Sequence, residues 1–294
     1  MTKLKAIISL LRIKSWSKNL ICFAGIIFGG YITEYVYWVL SIKLFISFGF
    51  VSSSVYAFND VIDRKLDAHH PKKKNRPIPS GKITFRTGLI ISGISLFLGL
   101  LVSLLMSPKI FWFLLLYLIN NLLYNSLFKN LPIIDVFCIS AGFLIRLIAG
   151  IYVVGDVPTI WILLCTMFLA LFLGFSKRKA ELDSIKKDND YQQRPVLKLY
   201  NKKFLDSLVN ETALGALICY SLFVTVSSKN PSLIITIPIV YYALAYYRQS
   251  LYKHQLGEEP EMVLINDLTI ITCIILWLLA YSFLYYTKID FFSI

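Results

Sequence analysis

Long apolar stretches separated by short polar ones set the pattern of this chain. Nine of them, at roughly 20–40, 42–58, 88–106, 110–128, 132–153, 160–176, 207–227, 232–248 and 263–286, approach the length of about 20 residues that a helix needs to cross a bilayer. The second and sixth are on the short side. The pattern predicts an all-α, polytopic membrane protein with nine transmembrane helices in a single domain over 1–294. On one side the connectors are short and turn-like: Ser107-Pro108-Lys109, Gly155-Asp156-Val157-Pro158 and Ser228-Lys229-Asn230-Pro231. On the other side two long polar loops are expected, at about 59–87 and 177–206, and long loops of this kind usually carry function.

Composition agrees, with 57% hydrophobic and 16% charged residues in 294 and a mean hydropathy of +0.66, outside the range of a soluble domain. A formal charge of +13 would suggest nucleic acid in a soluble protein. Here the basic residues sort by side instead. With the N-terminus taken as cytoplasmic, the inner segments carry five Lys/Arg before the first span, eight after the second, one after the fourth, nine after the sixth and two after the eighth. Lys43, Lys109, Lys229 and Lys288 lie at the opposite ends, and Arg146 lies inside a span. The positive-inside rule then places the N-terminus inside, the C-terminus outside and the polar loops at the cytoplasmic face of the cell (inner) membrane, around a cytoplasm-facing polar cavity. Nucleic acid is excluded as a partner because the basic loops alternate with spans and form no single patch. Five cysteines in apolar spans show no pairing pattern and read as small core residues. The basic N-terminus lacks a cleavage-site pattern, so the first span is expected to be retained.

The densest chemistry is Asn59-Asp60-Val61-Ile62-Asp63-Arg64-Lys65-Leu66-Asp67, at the end of the second span. On a helix, positions 59, 60, 63 and 67 fall within an arc of roughly 100°, so one amide and three carboxylates share a face. A basic, proline-broken loop follows, from His69 and His70 through Lys72, Lys73 and Lys74 to Arg76-Pro77-Ile78-Pro79. Oxygen ligands suit Mg²⁺, which bridges a few carboxylates to substrate phosphates while Lys and Arg take the remaining phosphate oxygens. The pair reads as a diphosphate site, with Asp60, Asp63 and Asp67 as metal ligands. The plainer alternative for the basic loop is a solvated, positive-inside loop.

Other polar residues enter the apolar pattern. Asn121, Asn125 and Lys129 form a stripe at four-residue spacing beside Tyr124, fitting either a wet cavity or helix packing. Arg146 lies about 20 Å of helix from Pro132, with Asp135 on nearly the same face, and either holds a buried anion or braces the bundle. Ser176-Lys177-Arg178-Lys179-Ala180-Glu181-Leu182-Asp183 places Lys177, Arg178 and Glu181 on one face, a grip for phosphate or a topological basic cluster. Trp16 reads as an interfacial anchor, with Lys18 and Asn19 directed toward the site. Glu258, Glu259 and Glu261 suit a helix start, and Asp267 lies further in, facing the cavity. His69, His70 and His254 have no zinc spacing.

Nine spans with Asn59-Asp60-x-x-Asp63-x-x-x-Asp67 after the second resemble the UbiA superfamily of intramembrane polyprenyl transferases. The resemblance covers essentially the whole chain. Members that use prenyl diphosphates carry a second motif, DxxxD, after the sixth span; here Lys177-Arg178-Lys179-Ala180-Glu181 stands there, and Asp183 and Asp188 are spaced one residue too far. Tyr124-x-x-x-x-Lys129 replaces the YxxxK of the aromatic prenyltransferases. Those departures, with Trp16-x-Lys18-Asn19, Arg76-Pro77-Ile78, Asp135, Arg146 with Ala149-Gly150, and Glu259-Pro260 with Asp267, are similar to the branch that transfers phosphoribose to decaprenyl phosphate.

The resemblance implies transfer of 5-phosphoribose from phosphoribosyl diphosphate to a polyprenyl phosphate, with Mg²⁺ as cofactor, for arabinose-containing cell-envelope glycans. Asp60, Asp63 and Asp67 would be the catalytic, metal-holding residues. Lys18, Asn19, Asn59, Lys73, Arg76, Tyr124, Lys129, Arg146, Lys177, Arg178, Glu181 and Asp267 would bind substrate. A homo-oligomer in the bilayer is compatible with this reading. The rivals are a prenyltransferase joining a prenyl diphosphate to an aromatic or other acceptor, which the missing DxxxD disfavours, and a transporter, whose ionisable residues would sit nearer the bilayer midplane.

Overall fold

The structure, a computed structural model, describes residues 3–69, 73–185, 195–227, 230–254, 263, 266–289 and 291. His70, Lys72, Asp188, Lys229 and Glu258 to Glu261 lie outside the described residues, as does the side chain of His254. Every regular element among the described residues is helical. In chain order the longer ones, with one short helix after α3, are α1 (Lys3–Leu11), a 3-10 segment (Ile13–Phe23), α2 (Ala24–Gly29), α3 (Tyr35–Ile62), α4 (Arg64–Ala68), α5 (Phe85–Met106), α6 (Pro108–Ser126), α7 (Ile134–Tyr152), α8 (Ile160–Ile185), α9 (Lys202–Leu222), α10 (Ile237–His254) and α11 (Leu268–Thr287), and short 3-10 or π turns lie between some of them. Among the described residues six helical segments are long and apolar enough to cross a membrane: Tyr35–Ile62, Phe85–Met106, Ile134–Tyr152, Ile160–Asp183, Lys202–Ser227 and Leu268–Thr287. The chain is an integral membrane protein.

The first two expected spans are drawn differently. Residues 20–40 are not one helix, because the chain turns at Gly30, where φ 77° and ψ 30° suit a residue without Cβ. α3 then runs 28 residues without a break, through the expected boundary at 41. A serine and a lysine there leave the helix intact, since Ser41 is buried and Lys43 stands on the exposed side, where a long side chain extends toward polar surroundings. The second polar loop is also shorter than expected, because α8 continues to Ile185.

The described residues divide into two compact units: those up to Lys129 with Ile145–Asp156, and Asn130–Leu144 with the described residues from Val157 on. In the first, α3 and α5 meet along small residues. Gly88, Ser92, Ser95, Gly99 and Ser103 are the buried positions of α5, three or four apart and so on one face. A Cβ on Gly99 would stand 2.9 Å from the Ser47 carbonyl, and Ser92 donates to the Ser54 carbonyl at 3.0 Å. Close backbone approach with hydroxyl bonds is how apolar helices associate where lipid tails remove the hydrophobic drive. In the second unit α8 lies along α9, and Leu171, Phe172, Phe175, Leu205, Val209 and Tyr247 form its core.

Candidate active site

The acid stripe of the first unit holds together through the end of α3. Asp63, at φ −81° and ψ 3°, separates α3 from α4. The four-residue ladder nevertheless continues, since Asp63 N–H donates to Asn59 O and Asp67 N–H donates to Asp63 O, both at 2.8 Å. Asp60 and Asp67 are buried, and Asn59 and Asp63 are half-buried. One nitrogen of Arg76, Nη1, joins the two buried carboxylates, donating to Asp60 Oδ1 at 3.1 Å and to Asp67 Oδ2 at 2.6 Å. Arg12 donates to the same Asp60 oxygen at 2.6 Å, and Lys73 Nζ lies 3.7 Å from Asp67 Oδ1. The basic loop therefore returns onto the acids that precede it. Burying carboxylates is tolerable only with such partners.

Among the described residues no group of three or more His, Cys, Asp or Glu side chains forms a ready-made metal cage. The donor set still fits a hard cation of the Mg²⁺ type. It is oxygen-only, and two carboxylates meet within hydrogen-bond reach of one nitrogen. Mg²⁺ is commonly held by one or two carboxylates, waters and substrate phosphate oxygens, without an all-protein cage.

Arg146, also in the first unit, is buried. Its Nε donates to Asn19 Oδ1 at 2.7 Å and its Nη2 to the Tyr117 hydroxyl at 2.6 Å. The Tyr117 ring centroid lies 4.3 Å from the guanidinium carbon. The arginine thus ties the 3-10 segment, α6 and α7 together. The α6 amides serve their own helix: Asn121 donates to Tyr117 O and Asn125 to Asn121 O, both at 2.8 Å. Tyr124, Lys129 and Lys18 are half-buried. Trp16 packs against α3: Nε1 donates to Ser53 at 2.9 Å, and a Cβ on Gly49 would stand 2.7 Å from its ring.

In the second unit the basic string lies on α8. Arg178 is buried between two acids, with Nε donating to Asp135 Oδ2 and Nη1 to Glu181 Oε2, both at 2.7 Å. Lys179 pairs with Asp206, and Lys177 is half-buried. Tyr200 completes the group by donating to Asp135 Oδ1 at 3.2 Å and accepting from Ile133 N–H at 2.5 Å. Burial, with the Asp135 charge beside it, pushes the Tyr200 phenol up to about 12. Asp267 is the N-cap of α11: one oxygen accepts from Thr269 and Ile270 N–H, and the other accepts from Tyr246 at 3.4 Å. Sequence reasoning passed over Arg12 and Tyr200. Arg12 looked like one more inner-side charge, and nothing local marks Tyr200.

Apolar helices with buried carboxylates held by guanidinium groups at a helix end define an integral membrane protein with a buried ionic site. The chain belongs to the UbiA prenyltransferase family, whose pattern matches residues 20–266, and it is a transferase. It is 30% identical over 222 residues to the decaprenyl-phosphate phosphoribosyltransferase of Mycolicibacterium smegmatis, covering 74% of this chain and 69% of that one. It is 25% identical over 281 residues to the enzyme of the same name from Mycobacterium tuberculosis, covering 92% and 91%. Its fold is shared with a UbiA homologue from Archaeoglobus fulgidus bound to GPP and Mg²⁺, at a TM-score of 0.71 and 20% identity over 96% of this chain and 99% of that one.

Proposed function

We propose that this transferase moves 5-phosphoribose from phosphoribosyl diphosphate to a polyprenyl phosphate and releases diphosphate. The observation that carries the reading is the Lys177-Arg178-Lys179-Ala180-Glu181 string on α8, where relatives using prenyl diphosphates have an acid pair. The names of the relatives, alike over up to 92% of the chain, support it. The family match spans segments of both units, which supports a single catalytic domain over 1–294.

In this reading Asp60, Asp63 and Asp67 hold Mg²⁺, which when bound neutralises charge on the departing diphosphate. Arg76 and Lys73 bind diphosphate oxygens, and Asn59 beside them is assigned to substrate binding. Lys18, Asn19, Tyr124, Lys129 and Arg146 in the first unit, and Lys177, Arg178, Glu181 and Asp267 in the second, are assigned to substrate binding. The bond from the sugar C1 to diphosphate breaks and one to a lipid phosphate oxygen forms. The acceptor is already anionic, so no proton must be removed and no strong general base is needed.

The proposed topology has nine crossings in the inner membrane, with the N-terminus cytoplasmic. Eight are the six long segments with α6 and α10. The ninth is Ile13–Gly29, since eleven residues of 3-10 helix and six of α-helix extend about 30 Å, the thickness of a bilayer core. Incubating the purified protein with Mg²⁺, labelled phosphoribosyl diphosphate and a polyprenyl phosphate tests the reaction. Label entering the lipid with one diphosphate released is expected. Consumption of a prenyl diphosphate with an aromatic acceptor, and none of phosphoribosyl diphosphate, overturns the reading.

A further inference from the structure

Arg12 reaches the acid cluster from outside the segment that matches the family, which begins at residue 20. Its backbone is left-handed, at φ 48° and ψ 48°, and separates α1 from the 3-10 segment. A non-glycine residue holds that conformation only where its surroundings impose it. Here they do so from both sides: Ser53 of α3 donates to the Leu11 carbonyl at 2.6 Å and accepts from Trp16 Nε1 at 2.9 Å. The turn places the Arg12 guanidinium 4.8 Å from the Tyr56 ring centroid and 2.6 Å from Asp60 Oδ1. With Arg76 and Lys73, three cations then face two carboxylates. The Asp60 and Asp67 side chains are 2% and 5% exposed, whereas those of Arg12 and Arg76 are 28% and 31% exposed. The accessible side of the Asp60–Asp67 pair is therefore guanidinium, not carboxylate.

We propose that Arg12 is a diphosphate-binding counter-cation that makes a divalent metal and diphosphate bind together. The inference rests on the acid cluster being the metal–diphosphate site. A dication alone meets three positive groups and must displace a guanidinium from Asp60 with nothing to receive it. Accompanied by diphosphate, it takes the carboxylate while Arg12 transfers its hydrogen bonds to phosphate oxygens, which suit the same planar fork. The enzyme then rejects free metal and accepts the metal–diphosphate complex.

The test measures the unfolding temperature and the binding affinity of the purified full-length protein with Mg²⁺ alone, diphosphate alone and both. Wild type is expected to respond to the pair and not to Mg²⁺ alone. Arg12→Gln removes the charge, so Mg²⁺ alone binds about tenfold tighter and the pair about tenfold weaker, the scale of one charge-assisted hydrogen bond. Arg12→Lys keeps the charge and loses the fork, so it still rejects Mg²⁺ alone and binds the pair several-fold more weakly. Equal responses of wild type to Mg²⁺ alone and to the pair overturn the role of Arg12 while leaving the diphosphate site standing. So do unchanged affinities in Arg12→Gln or, should that variant not fold, in Arg12→Lys. A wild type that responds to neither overturns the diphosphate site itself.

Discussion

Arg178 and Asp135 form an ion pair shut off from solvent, 2.7 Å from Nε to Oδ2 with side chains 1% and 0% exposed. Such a pair adds little beyond a well-packed apolar pair, yet removing one member strands the other without water. Glu181, the second acid on Arg178, keeps 18% exposure, so water replaces it readily. Asp135→Ala is expected to cost about 3–5 kcal/mol of stability and Glu181→Ala about 1 kcal/mol or less. Thermal unfolding in detergent orders the two variants, and equal losses would contradict the geometry.

Asp60, Asp63 and Asp67 offer the most direct test of the chemistry. Replacement by Asn keeps shape and removes charge, and the Asp60 partners Arg12 and Arg76 have partial access to water, so the fold is expected to survive. Loss of an electrostatic contact at a sheltered site costs about 3 kcal/mol or more, on the order of a hundredfold in rate. Activity of Asp60→Asn or Asp63→Asn within a few-fold of wild type, or full activity in excess chelator, would remove the metal assignment.

How much of this was legible follows from sequence distance. The acid stripe was readable because 59, 63 and 67 are joined by local hydrogen bonds, and local periodicity is what a sequence displays. Arg12 and Asp60 are 48 residues apart, and Arg178 and Asp135 are 43 apart, so neither pairing has a local signature. The first two spans were misdrawn for a related reason. The apolar run is almost continuous from 20 to 58, and its break comes from the backbone at Gly30, while of its two charges Glu34 stands just ahead of α3 and Lys43 sits on the outside of that helix. Asp267 was assigned to a cavity, whereas its cap on α11 depended on where that helix begins.

Charge sorting makes the topology testable. With the nine proposed crossings, Met1 is expected in the cytoplasm and Ile294 outside. Reporter fusions at the two ends should therefore give opposite signals. Signals from the same side would remove the odd number of crossings, and with it the inward placement of both polar loops.

Lys177 separates phosphate recognition from folding better than Arg178 does, because Arg178 is committed to Asp135 and Glu181 whereas Lys177 is half-buried at the same end of α8. A charge-assisted contact to a phosphate is worth roughly 1.5–3 kcal/mol. Lys177→Ala is expected to lower kcat/KM for phosphoribosyl diphosphate about 10–100-fold with little change in unfolding temperature. Unchanged kinetics would take Lys177 out of the substrate-binding set.

Tyr200 carries a pH signature. Its phenol is pushed up to about 12 from a usual value near 10, so the folded state holds this proton more tightly than the unfolded state does. The stability it adds is complete below about pH 10 and is lost as pH rises from there through about 12. Tyr200→Phe removes the bonds to Asp135 and Ile133 and is expected to cost about 1–3 kcal/mol at neutral pH, since Asp135 and the Ile133 N–H each lose a partner in a buried setting. Every other ionising group is common to both proteins, so the difference between their unfolding temperatures isolates this one. The gap should be constant from pH 7 to 9 and narrow above pH 10. A gap independent of pH up to about 12 would mean that the phenol does not ionise in the unfolded chain ahead of the folded one, and that burial at Asp135 does not hold its proton.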